Sequence, residues 1–165
     1  MSWAESYTKW GEHKGASAFV LVGNVDRQRT VAEGTVFPHQ NSRTSFIPWT
    51  ITTFVVERLL LDGLGTNPGK LEALQEGPIP PNMWSSTVFP LPEIGERYLV
   101  FFTPSLTPNL FYSVGAFQGT FHIDQRDHVG ALKPEWMQGE LCIRDAPLVK
   151  VLEALVTAPI LDGVS

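Results

Sequence analysis

Apolar and β-branched residues in this chain fall in short runs broken by glycine, proline and polar turns, which is the pattern of a mainly β protein. The densest run is Tyr98 to Phe102, five apolar or aromatic residues in succession between Gly95 and Pro104. Neighbouring strand residues point to opposite faces, so this run predicts a central strand buried on both sides or enclosed in a barrel. Ala18 to Val25 predicts another strand, with Val20 and Val22 on one face, Phe19 and Leu21 on the other, and Gly23 marking a bulge. Trp49 to Leu61 is the longest candidate. Thr, Ile, Phe and Val dominate it, and Asp62-Gly63 ends it as a turn. Lys70 to Gln75 predicts a half-exposed strand.

Further along, Phe111 to Ala116 and Gly119 to Asp124 predict a hairpin joined near Phe117-Gln118-Gly119. Gly139 to Ile143 predicts one last short strand. Two helices flank these strands. Ser2-Trp3-Ala4-Glu5 has the capping-box pattern, with Trp3, Tyr7 and Trp10 at helical spacing and Gly11 and Gly15 bracketing the end. Asp145-Ala146-Pro147 is expected to cap the second helix, whose buried stripe is Leu148, Val151, Leu152 and Leu155 and which Pro159 closes. Residues 26–48 are polar and read as a long loop with room for an edge strand at Thr35 to Phe37. Residues 78–95 hold five prolines together with Ile79, Met83, Trp84, Phe89 and Leu91. Proline forbids regular structure there, and the apolar side chains are costly to hydrate. The expectation is an ordered loop with Trp84 or Phe89 plugging an open barrel end; the competing expectation is that these side chains form a partner surface.

The chain has 165 residues, 43% hydrophobic and 18% charged, which suits one folded domain with its core over about residues 16–144. Its net charge of −5, with scattered Lys and Arg, speaks against phosphate backbones and anionic membranes as partners. Cys142 is the one cysteine, so an intrachain disulfide is excluded. No apolar stretch approaches the roughly 20 residues that span a bilayer. The opening residues carry no export-signal pattern, and a signal removed by processing is compatible with the chain.

Laid end to end, VLVGNV, WTITTFVVERLLLDG, GERYLVFF and GAFQGTF resemble a group of bacterial, mostly exported domains of unassigned function. That group has a small OB-type β-barrel similar to the N-terminal domain of tissue inhibitors of metalloproteases. The matching positions are Val22 to Val25, Thr50 to Gly63, Gly95 to Leu99 and Gln118 to Phe121, within residues 17–124. The resemblance implies a five- to six-stranded antiparallel OB-like barrel, and a site of action outside the cytoplasm. Two departures stand out. The group has Ala-Asp where this chain has Ser17-Ala18. The inhibitors need an N-terminal cysteine held by disulfides, whereas this chain begins Met-Ser-Trp, so inhibition by that route is not implied.

His122, Asp124, Asp127 and His128 form the best chemical constellation. His122 and Asp124 share a strand face, and Asp127 and His128 can fold back from the following turn to hold a zinc-like ion. The plainer reading is a solvated strand end running into an Asp-rich turn. Cys142 with a histidine is a candidate nucleophile pair, but a cysteine between Leu141 and Ile143 reads first as a small buried hydrophobe. Glu57-Arg58 and Glu96-Arg97 are expected to pair across strands at barrel rims. The aromatics Trp49, Phe54, Tyr112 and Phe117 lack the clustered cations that single-strand binding needs. The function expected is a non-catalytic binding or interaction module for a protein or small ligand, monomeric or dimeric, with no cofactor. Its rivals are a small metal-dependent hydrolase using residues 122–128 and a protease inhibitor acting through a barrel-edge loop.

Overall fold

The computed structural model describes residues 7–31, 48–77 and 90–161. The protein is mainly β. Its strands are β1 (Phe19–Val31), β2 (Trp49–Asp62), β3 (Lys70–Glu76), β4 (Arg97–Pro104), β5 (Leu110–Ser113), β6 (Thr120–Ile123), β7 (His128–Ala131) and β8 (Ala146–Pro147). Helix α1 (Trp10–Ala16) precedes them, and α2 (Leu148–Thr157) follows.

β1 has a partner on each side. It pairs antiparallel with β2 along its length and with β4 from Phe19 to Asn24. β3 joins β2 antiparallel and β5 in parallel, and β5 joins β4, so five strands close into a ring in the order β1-β2-β3-β5-β4 and back to β1. β6, β7 and β8 continue the sheet outward from β4. The register of β1 on β2 shifts at three places, one of them between Val22 and Gly23. A Cβ on Gly23 would stand 2.7 Å from the carbonyl of Val55, so the bulge needs a residue without one.

Alternation along β1 and β4 sorts the core into two parts. Phe19, Leu21, Phe54, Leu71, Tyr98, Val100, Phe102 and Phe111 come from all five ring strands and fill the ring's interior. Val20, Val22, Leu99, Phe101, Phe121 and Ile123 face outward, under Tyr7 and Trp10 on one side and Val151, Leu152 and Leu155 of α2 on another. Every residue from Tyr98 to Phe102 is therefore buried, at 3% exposure or less.

Several expectations are corrected. Residues 111–116 and 119–124 are not a hairpin: β5 and β6 both pair with β4, on its Phe102–Pro104 and Arg97–Val100 parts, with a 3-10 turn between them. The pairing of β3 with β5 is parallel, where a wholly antiparallel sheet was expected. β1 runs on through Asp26–Val31, a polar stretch held as strand by its ladder to Trp49–Thr53. Gly139–Leu141 is a 3-10 turn and not a strand, because Glu140 N–H donates to the Thr8 carbonyl at 2.8 Å while Leu141 is buried. β7 was not expected. In α1, Gly11 and Gly15 lie inside the helix rather than at its end. A Cβ on either would collide with the backbone of Pro159 or Leu161, so these glycines let the C-terminal segment cross α1 closely. Residues 2–6, the edge strand at 35–37, and Trp84 and Phe89 lie outside the described residues. The end of the proline-rich stretch is described: Gln75 Nε2 donates to the Pro90 carbonyl at 3.0 Å, Gln28 Nε2 to that of Pro92, and Glu93 N–H to the Tyr98 hydroxyl at 2.8 Å.

Candidate functional site

The polar residues singled out in the sequence meet on one stretch of surface where β4, β6, β7 and β8 lie side by side. His122 on β6 stands opposite Tyr98 on β4, and the turn Asp124–Asp127 then returns the chain as β7. Asp124 builds that turn. Its carboxylate accepts the backbone N–H groups of Arg126 and His128, both at 2.9 Å, and the Arg126 guanidinium at 3.1 Å. The His128 amide, the Arg126 amide and the Arg126 charge together hold the Asp124 carboxyl below its usual 3.8, and Asp124 in turn raises the pKa of Arg126.

The two histidines go to different partners. His122 Nε2 lies 3.2 Å from Glu96 Oε2, and His128 Nδ1 lies 2.6 Å from Asp145 Oδ1. Asp145, expected to cap α2, is thus taken by His128 and, at 3.4 Å, by Arg126; α2 begins after Pro147 with no side-chain cap. Arg97 reaches over β1 to Glu57 at 3.1 Å and across to Asp127 at 2.5 Å. Burial opposes the charge of Arg97, but Asp127 and Glu57 outweigh it and raise its pKa. Of the expected rim pairs, Glu57 and Arg97 therefore join each other, and Glu96 joins a histidine.

His122, Asp124 and His128 are neighbours whose side chains do not converge. Among the described residues, no three His, Cys, Asp or Glu side chains gather to hold a metal ion. The His128–Asp145 pair has the base-and-orienter geometry of acid–base sites, yet among the described residues no hydroxyl or thiol bonds to either ring nitrogen. Cys142 is exposed, not buried as its neighbours suggested, and its thiol donates to the Pro134 carbonyl at 3.3 Å.

A residue that sequence reasoning passed over is His13. It is fully buried on α1, with ring centroids 4.7 Å from Tyr7, 4.8 Å from Phe101 and 6.4 Å from Phe121. Its Nε2 donates to the Gln118 carbonyl at 2.6 Å, and among the described residues Nδ1 has no partner. Burial pushes its pKa from 6.5 to about 4, against weaker opposing effects of the Gln118 carbonyl and Glu12. The available signal was its position three residues after Trp10, on the same helical face.

No protein-family model, curated protein or solved structure matches the chain.

Proposed function

We propose that this protein is a non-catalytic interaction module built on an OB-like barrel. Support for the barrel comes from the closed five-strand ring and its one parallel pairing, β3 with β5. The observation that carries the interaction reading is a pair of exposed apolar side chains on one face of α2, with a third just beyond the helix. Val149 and Val156, two helical turns apart, and Ile160 are 60%, 62% and 63% exposed. Aligned apolar side chains left in water mark contact surfaces, whereas scattered single ones do not. The polar surface at residues 96–145 is stabilised by paired charges and a self-bonded turn, which suits a structural role.

A photo-crosslinking residue at Val149 or Val156, introduced in the native host, tests the reading. A discrete crosslinked product is expected there, and none from a probe at Lys70 on β3. Zinc-dependent hydrolysis of ester, phosphodiester or peptide substrates that is lost in His122→Ala or His128→Ala would replace this reading with the hydrolase. Tight binding of a labelled single-stranded oligonucleotide would also defeat it.

Leu106 favours a second reading, the edge-loop protease inhibitor. It is 77% exposed in the β4–β5 loop, next to a turn in which Ser105 Oγ donates to the Thr107 carbonyl at 2.9 Å. Inhibition of any protease in a broad panel, abolished by Leu106→Gly, would establish it. The resemblance to exported domains supports a site of action outside the cytoplasm, and sequencing the native N-terminus tests that.

A further inference from the structure

Helix α1 packs over the sheet, and the most enclosed side chain it brings there is a histidine. Around His13 lie the rings of Tyr7, Phe101 and Phe121; Trp10, one helical turn earlier, stacks on Phe101 at 5.9 Å and tilts against Phe121 at 5.4 Å. The Gln118 carbonyl can only accept, so it fixes the neutral tautomer with the proton on Nε2. A second proton must then enter at Nδ1, where among the described residues no acceptor waits and the ring is wholly buried. A cation in that place is left without a hydrogen-bond partner, and the arrangement resists it.

We propose that α1 is an acid-released cover, whose undocking on protonation of His13 bares the outward faces of Phe101 and Phe121. The proposal stands apart from the interaction reading above, because it concerns a different surface. Other anchors of α1 and its flanks do not carry the same response. Tyr7 N–H donates to Gln118 Oε1 at 3.1 Å, Lys14 Nζ to the Leu155 and Ala158 carbonyls at 2.9 and 2.8 Å, and Leu161 N–H to the Gly11 carbonyl at 3.0 Å.

The titratable groups around the contact are Tyr7, Lys9, Glu12, Lys14 and Glu140. Glu12 accepts the Thr8 and Lys9 amides at 3.0 and 3.1 Å, and its pKa is held below the usual 4.5, chiefly by the Thr8 amide, so it stays ionised at pH 5. Glu140 accepts the Trp10 amide at 3.0 Å and is the carboxylate to control for.

The sign follows from linkage. His13 takes a proton at 6.5 when released and at about 4 when docked, so docking is weakened as pH falls between those values, by about 30-fold at pH 5 relative to pH 7.5.

Hydrogen exchange of the full chain, corrected for intrinsic rates, reads this directly. Between pH 7.5 and 5 the amides of Lys14 to Ser17 are expected to lose about 30-fold in protection, while those of Leu21 and Val100 keep theirs. His13→Phe keeps the ring packing without a titrating nitrogen and is expected to abolish the response; Glu140→Gln is expected to preserve it. Unchanged protection in the wild type, an equal loss in His13→Phe, or an equal loss at Leu21 and Val100 would overturn the proposal. Should His13→Phe fail to fold, the ring resonances of His13 in the wild type decide: titration below pH 5 supports the cover, and titration at pH 5 or above overturns it.

Discussion

Leu99 on β4 lies directly across from Val22 on β1, and neither is more than 2% exposed. Phe121 faces Leu99 from the other side, so the Leu99 side chain is gripped between two strands beneath the flanking helices. Truncation there leaves a cavity that paired strands cannot collapse around. Leu99→Ala is expected to cost about 2–5 kcal/mol, read as a lower urea midpoint with an unchanged slope. A loss under about 1 kcal/mol would mean that β4 is not the central strand.

Gly15 makes a prediction that runs against helix propensity. In an isolated helix, Gly→Ala stabilises by about 1 kcal/mol. Here the added Cβ would collide with the Leu161 carbonyl. Gly15→Ala is expected to destabilise by about 1–3 kcal/mol, as overpacking does, and to increase hydrogen exchange around Leu161. A raised melting temperature would show that the C-terminal segment does not press on α1.

Asp124 ties part of the stability to acid pH. Its folded pKa is lowered by the His128 and Arg126 amides and the Arg126 charge. The contribution is therefore present above the ordinary value of 3.8 and lost as pH falls through the folded value. Asp124→Asn keeps an acceptor but drops the charge. It is expected to denature earlier than the wild type at pH 7, with the gap narrowing as the pH falls below 3.8. Parallel curves across that range would remove Asp124 from the account.

Cys142 is expected to react with a thiol-specific dye in the native protein, at one equivalent per chain. Its exposure at the end of the 3-10 turn Gly139–Leu141 leaves the sulfur open to reagent. Reaction only after denaturant would place the thiol inside, as the sequence suggested.

Elements whose side-chain pattern is local follow from the amino-acid order alone. Tyr98 to Phe102, the two faces of Phe19 to Val22, the bulge at Gly23 and the stripe Val151, Leu152 and Leu155 are all legible as runs, alternations or helical spacings, because burial of such residues dominates any placement. Tertiary structure decided what depends on partners far along the chain. The polar residues Asp26–Val31 are strand only because β2 supplies a ladder, and β5 and β6 miss each other because β4 pairs with both. The same holds for the polar groups. His122 and Asp124 are two residues apart, yet Glu96 takes one while the following turn takes the other. His13 resists a proton because Tyr7, Phe101 and Phe121 close around it and bury it. Charge pairing and desolvation are set by distances in space, which hydrophobic periodicity does not encode.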